Sequence, residues 1–266
     1  MRERIPQEAG LPLPLERWAR EAARNGTLRQ PMLRRPLAAV EGDTPESRAV
    51  REALRLMGCR LETRWRVGIP AFWADGKGLH AQDERGARWD EGQILTLLTL
   101  IEMENGRGAV ALPPRASAAM ELVAAGYGGR VLRLEHDGEE ARQLYDSQPW
   151  LWSAPHGAVR ICSRMGVSGQ RLDTLMSKTP RFHAWRREVS LSGSGERLLD
   201  RLARERGAQV EGSSLRLHTG DGWLYLEPLR NAGFGIRAEG PDLEAAAELC
   251  DFYAAHILEL DRQGDA

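Results

Sequence analysis

From Leu37 to Lys178 the chain alternates short apolar runs with longer stretches of helical periodicity, and few architectures accept that order. Leu37 to Val40 reads as a buried strand. In the following "EGDTPES", Asp43 or Thr44 caps a helix and Pro45 fills its first turn. Ala49, Val50, Ala53, Leu54 and Met57 then share one helical face, and Gly58 supplies a left-handed stop. Cys59 to Trp65 is the next strand. Ile69 to Trp73 and Leu79 to Gln82 flank "ADGKG", a turn. Gln93 to Glu104 is a helix and Ala109 to Leu112 a strand. Ser117 caps a helix that runs to Ala125 and ends at Gly126, and Arg130 to Glu135 is a strand. Pro155 to Met165 and Gln170 to Lys178 are two further helices, the second capped by Ser168.

"KTPRF" breaks this order, and strands then predominate. Ala184 to Leu191 is a strand, and Leu198, Leu199 and Leu202 mark a helix. Strands near Leu215 to His218, Trp223 to Leu226 and Phe234 to Arg237 precede a last helix capped by Asp242. The predicted fold class is α/β: a layered domain with a mixed sheet and flanking helices, then a small α+β domain with a mainly antiparallel sheet. The expected division is an N-terminal arm over residues 1–36, with a short helix from Leu15 to Ala23, an α/β region over 37–180 and an α+β domain over 181–266.

Composition excludes several classes. At 42% hydrophobic the chain builds a packed core, and a net charge of −1 gives no general pull toward nucleic acid or anionic lipid. No run is long and apolar enough to span a membrane, and the N-terminus lacks a signal-peptide core, so a cytoplasmic location is expected. Lys77 and Lys178 are the only lysines. The Arg bias reads as codon composition rather than phosphate recognition, because Arg alternates with acidic residues throughout. Cys59, Cys162 and Cys250 show no zinc spacing and read as small buried hydrophobes. The histidines are scattered without a nucleophile or acid motif beside them. "GYGGR" follows a helix rather than preceding one, so no helix N-terminus faces it.

The stretches "VALPPRASAAMELVAAGYGGRVLRLEHDG", "SAPHGAVRICSRMGVSGQRLDTLMSKTPRF" and "GDGWLYLEP" with "IRAEGPDLEAAAEL" resemble the third and fourth domains of the α-D-phosphohexomutases, the phosphomannomutase and phosphoglucomutase enzymes. The resemblance covers residues 67 to 262, and 37 to 66 more weakly as the end of the second domain. It implies that the first domain, with its phosphoserine loop T-A-S-H-N-P, is missing. Ser192 and Ser194 lie elsewhere and have no His or Lys beside them; a capping role suits Ser194.

The family's metal loop D-P-D-G-D-R corresponds to "WADGKG". Asp75 alone stays acidic, Trp73 and Lys77 replace the other carboxylates, and Gly78 replaces the Arg. A hard cation needs several oxygens, so no Mg²⁺ or other cofactor is expected, and the stretch reads as a surface turn. The sugar motif G-E-x-S-G-H has no counterpart in "GEEARQLYDSQPWLWSA". Trp150 and Trp152 there suit a core or an interface better than a sugar platform. The phosphate loop R-P-S-G-T-E-P reads "EPLRNAG": Pro228 is kept, Glu227 replaces Arg and Leu229 replaces Ser. Two unit charges about 4 Å apart interact by roughly 4 kcal/mol at a surface-like dielectric, so the reversal at Glu227 opposes a phosphate. Arg230, Asn231 and Arg237 are the remaining phosphate-binding candidates, and no catalytic residue is assigned.

The resemblance therefore implies a non-catalytic, phosphohexomutase-like module that works by binding a protein partner or a second copy, without nucleic acid or membrane. The alternatives are a subunit of a split phosphosugar mutase and a sugar-phosphate sensor.

Overall fold

The computed structural model describes residues 13–27, 32–76, 78–113, 116–134, 138–208, 210–211, 213–220, 222–230 and 233–264. In chain order the first elements are α1 (Leu13–Thr27), β1 (Leu37–Val40), α2 (Pro45–Leu56), β2 (Arg60–Glu62), β3 (Ala71–Asp75), β4 (Gly78–Gln82), β5 (Arg88–Trp89) and α3 (Glu91–Glu104). Next come β6 (Ala109–Leu112), α4 (Ala118–Gly126), β7 (Arg130–Arg133), α5 (Gly138–Asp146), a 3-10 turn (Pro149–Leu151), α6 (Ala154–Ser168) and α7 (Leu172–Met176). The chain ends with β8 (His183–Ser190), α8 (Gly195–Arg206), β9 (Val210–Glu211), β10 (Ser214–Thr219), β11 (Gly222–Leu229), β12 (Gly233–Gly240) and α9 (Leu243–Gly264). This is the layered α/β region with a mixed sheet, followed by an antiparallel α+β region, that the element order predicts. Among the described residues no helix is long and apolar enough to cross a membrane.

Packing gathers the chain into two compact units, residues 1–108 with 145–179 and residues 109–144 with 180–266. Element order groups 109–144 with the α/β block before it; packing groups it with the C-terminal sheet.

In the first unit the strand order is β2-β1-β3-β4-β5, parallel for the first three and antiparallel beyond. The parallel pair β1–β2 needs a crossover, and α2 supplies it. The Thr44 hydroxyl caps α2 by accepting from Ser47 N, Pro45 follows at the first turn, and Gly58 ends it at φ +88°. Val40 and Phe72, fully buried, alternate with Ala39 and Ala71, which form a second small cluster with Ile69. Both sheet faces are thus covered, as a parallel core requires. Ser47 ties α2 to β3: its buried hydroxyl donates to Ala74 O (3.1 Å) and accepts from Ala74 N (2.9 Å).

Several boundaries differ from expectation. The predicted 15–23 helix extends over Leu13–Thr27, and it packs on α2 and α6 with Ala19, Ala22 and Ala23 buried, so it is part of the unit rather than an arm. Of the remaining arm residues, 1–12 and 28–31 lie outside the described residues. The helix expected from Gln93 starts at Glu91, because Asp90 and Gln93 form a reciprocal capping box. The strand expected over 59–65 shrinks to Arg60–Glu62. Ser168 does not cap the second helix: it is the last residue of α6, and Gly169 at φ +68° stops that helix. The N-terminus of α7 is capped instead by the buried Glu84, which accepts from Leu172 N (2.9 Å) and Asp173 N (3.0 Å). Cys162 and Cys250 are buried and Cys59 half-buried; a hydrogen bond with Cys59, together with burial, pushes the Cys162 thiol well up.

In the second unit β6 and β7 pair in parallel around α4, which Ser117 caps. This helix continues through Gly126, the expected stop, and Gly128 takes the left-handed conformation (φ +66°) instead. The other sheet runs β8-β12-β11-β10-β9, wholly antiparallel. Leu215, Leu217, Leu224, Leu226, Phe234, Ile236 and Ala238 put one face into a core with Leu198, Leu202, Cys250, Tyr253 and Ile257 of α8 and α9. The alternation of strands leaves Arg216, Trp223, Tyr225, Glu227, Arg237 and Glu239 on the opposite face.

Candidate functional site

The stretch "EPLRNAG" is not an open loop. Strands β11 and β12 stay paired through Glu227↔Gly235, Pro228↔Phe234 and Leu229↔Gly233, so four of the stretch's residues lie in the ladder. Pro228 has a packing role: a Cβ on Gly195, the first residue of α8, would lie 3.0 Å from Pro228 Cβ. Glu227 folds across the neighbouring strand, with its Cγ 3.2 Å from where Gly235 would carry a Cβ. Its side chain stays on the sheet face it shares with Arg237 and Glu239.

Of the three phosphate-binding candidates, Arg230 is exposed at the tip and Asn231 lies outside the described residues. Arg237 sits opposite Tyr225, four residues along β12 from Gly233, or about 13 Å at a strand's rise. It donates to Glu239 Oε1 at 3.0 Å. Arg237 and Arg230 thus occupy separate places along the hairpin.

Glu239, only 6% exposed, organises this face. Its Oε2 accepts from Ser117 Oγ (3.0 Å) and Ala118 N (2.9 Å), while Oε1 accepts from Arg237. The first turn of a helix offers free N–H groups and a positive dipole end, the usual seat of an anion. At α4 that seat is taken by a carboxylate of the same chain. Beside it Glu121 accepts from both Nη atoms of Arg216 (2.7 and 3.0 Å) and from Arg133. Arg216 also lies over the Trp223 ring, 4.6 Å from its centroid. The small cavity lined by Ala116, Arg216, Trp223, Arg237 and Glu239 measures about 20 Å³, room for a water molecule and little more. Sequence spacing gives no hint of Glu239 as a helix cap, because Ser117 and Ala118 lie more than a hundred residues away.

In the first unit "ADGKG" forms the predicted hairpin turn, with Asp75 paired to Gly78; Lys77 lies outside the described residues. Asp75 approaches His80 Nε2 at 3.3 Å, and the His80 ring stacks on Trp73. A Cβ at Gly78 would lie 2.5 Å from Glu91 Oε1, so the Glu91 side chain lies directly over the turn. Glu46, Asp75 and Glu91 line one cavity of about 300 Å³ together with Trp18, Trp150 and Trp152. Among the described residues no group of three His, Cys, Asp or Glu side chains could hold a metal ion. Trp150 is buried, and Trp152 is half-exposed and edge-on to Trp18.

Ser194 caps α8 through Arg197 N, as expected. Asp261 accepts from Ser192 N (2.7 Å), Ser192 Oγ (2.8 Å) and Gly193 N (2.9 Å). Desolvation alone would raise the Asp261 pKa, but these three hydrogen bonds outweigh it and hold the group below the usual carboxylate range. "GEEARQLYDSQ", which offers no sugar motif, carries α5.

No family model matches the chain, and no curated protein matches it by sequence. Solved structures do match in fold. A phosphoglucomutase/phosphomannomutase family protein from Burkholderia thailandensis aligns with a TM-score of 0.66 at 13% identity, over 92% of this chain and 65% of that one. N-acetylphosphoglucosamine mutase from Aspergillus fumigatus gives 0.60 at 10% identity, covering 92% and 65%. The Paramecium phosphoglucomutase pp63/parafusin gives 0.56 at 10% identity, covering 94% and 62%. The chain thus has a fold similar to these mutases and spans just under two thirds of their length.

Proposed function

We propose that this chain is a non-catalytic module on a phosphohexomutase-like fold, corresponding to the C-terminal part of those enzymes, and that it works by binding a protein partner or a second copy. The observation that carries this reading is the Glu239 node. A carboxylate fills the α4 N-terminus and takes Arg237, a leading phosphate ligand candidate, while Glu227 lies along the same hairpin. A substrate phosphate there would have to displace one buried carboxylate and sit near another. Displacement leaves a charge unpaired, which costs several kcal/mol, about what a good phosphate contact would return. In the stretch that resembles the metal loop, Trp73 and Lys77 stand in place of two carboxylates, which favours the same reading.

The purified chain, assayed with mannose 1-phosphate and glucose 1-phosphate in the presence of Mg²⁺, is expected to show no turnover above background. Enzyme-proportional interconversion of either substrate sinks the proposal. Light scattering and pull-down with the natural host extract then separate self-association from a heterologous partner.

A further inference from the structure

Beside the acidic clamps, buried donors without acceptors gather at a cavity in the first unit. Between α1, the end of α3, the 3-10 turn and α6 lies a cavity of about 80 Å³, walled by Gly26, Glu102, Arg107, Trp150, His156 and Arg160. A water needs about 10–15 Å³ by this measure, so the space holds several waters or one tetrahedral oxyanion. Glu102 is fully buried, and its two oxygens are taken by Nε of Arg107 (2.6 Å) and Nε of Arg160. Two guanidinium groups against one carboxylate leave a positive excess, and the Nη groups of both arginines have no protein hydrogen bond among the described residues. Glu21, on α1, is the other acid whose field reaches His156; it is exposed and does not wall the cavity.

Two buried atoms complete the pattern. Trp150 Nε1 and His156 Nε2 are shielded from solvent and have no hydrogen-bond partner, in side chains 6% and 5% exposed. An unsatisfied buried polar atom costs about 1–3 kcal/mol, so two at one cavity call for an occupant. Nδ1 of His156 is turned to Ser153 Oγ (2.8 Å), a residue outside this cavity, which leaves Nε2 on the opposite side of the ring. Burial holds the imidazole neutral by lowering its pKa. In the tautomer whose Nδ1 accepts from the Ser153 hydroxyl, Nε2 carries the proton and donates. Trp N–H donates only, and so does guanidinium.

The geometry points to a binding site for a small oxyanion of the phosphate class, held by Trp150 Nε1, His156 Nε2 and the Nη groups of Arg107 and Arg160. Arginine's planar fork suits such an ion, and charge-assisted hydrogen bonds are the strong kind. The site lies in a different unit from the degenerate hairpin loop, so the mutase assay above and this site stand or fall separately.

Calorimetric titration of the full chain with sodium phosphate at constant ionic strength, against a chloride blank, tests it. One saturable site is expected, weakened about tenfold or more in Trp150→Phe, which keeps the ring and deletes the donor. Arg107→Gln should weaken it similarly while Arg160 still neutralises Glu102; if that variant fails to fold, Trp150→Phe alone decides. Glucose 6-phosphate and glucose form the other arms. Competition by the sugar phosphate, with the same Trp150 dependence, identifies the phosphate group as the recognised part. Binding of inorganic phosphate alone identifies the free ion. No saturable uptake up to about 20 mM phosphate, a far weaker affinity than a mM site, overturns the assignment. So does wild-type affinity in both variants, or uptake of glucose without phosphate.

Discussion

Replacement of Glu239 tests how this chain fills its own anion seats. Glu239→Ala removes an acceptor from Ser117 Oγ, Ala118 N and Arg237 Nη2. These three losses are unequal. Arg237 keeps about a third of its side chain exposed and can turn to water, so its share is small. The Ser117 hydroxyl already accepts from Ala119 N at 3.1 Å and stays partly satisfied. The Ala118 amide is buried and has no substitute, which costs about 1–3 kcal/mol. The sum is about 3 kcal/mol, or roughly 10 °C in the melting of the second unit. Glu239→Gln keeps an acceptor for the helix end and loses only the charge facing Arg237, so about 1 kcal/mol is expected. Scanning calorimetry of the three proteins should give the order wild type, Gln, Ala. Added phosphate should raise the melting temperature of the Ala variant beyond its effect on wild type, because the emptied helix end regains an anion. At ten times its dissociation constant such an ion returns about 1.4 kcal/mol. An Ala variant as stable as wild type, or a Gln variant as damaged as Ala, refutes the argument that Glu239 acts as the cap of α4.

Two further substitutions probe other joints. Asp261→Asn should flatten the acid limb of the stability curve. A folded pKa below the unfolded value of about 3.9 contributes stability above that value and loses it as pH falls through the folded pKa. Urea melts between about pH 2 and 5 in both proteins check this, and parallel curves would count against it. Gly26→Ala places a Cβ 2.5 Å from Val159 Cγ1 and 2.7 Å from Met57 Sδ, so α1 must shift from α2 and α6. A loss of about 1–3 kcal/mol in equilibrium unfolding is expected despite alanine's better helix propensity.

Local rules made most elements legible. Thr44 with Pro45, Ser117, Ser194 and Asp242 each mark a helix start that the structure keeps, because a cap is settled within three or four residues. The Asp90–Gln93 capping box was readable in the same way and moves the start of α3 by two residues. Where a helix end is capped from afar, spacing fails: α7 begins at Leu172 because Glu84, 88 residues earlier, takes its first amides. The site shows the same split. The hairpin and the charge reversal at Glu227 are local and visible. The partner of Arg237 depends on strand register and on Ser117 lying against β12, neither of which a linear reading contains.

A common device links these distant contacts. Glu84 caps α7, Glu239 caps α4, Asp261 fills the Ser192–Gly193 turn and Glu121 neutralises Arg133 and Arg216. Each places a carboxylate where backbone or guanidinium donors converge, which is also the chemistry that would bind a phosphate. An Arg-rich chain with a net charge of −1 can therefore present few open anion sites. Glu102 likewise faces two arginines, but the neighbouring Trp150 Nε1 and His156 Nε2 have no hydrogen-bond partner. The contrast explains why the hairpin that resembles a phosphate loop is the weaker anion candidate. Arg237 and the neighbouring α4 amide are already satisfied within the protein, whereas Trp150 Nε1 and His156 Nε2 beside Glu102 are not.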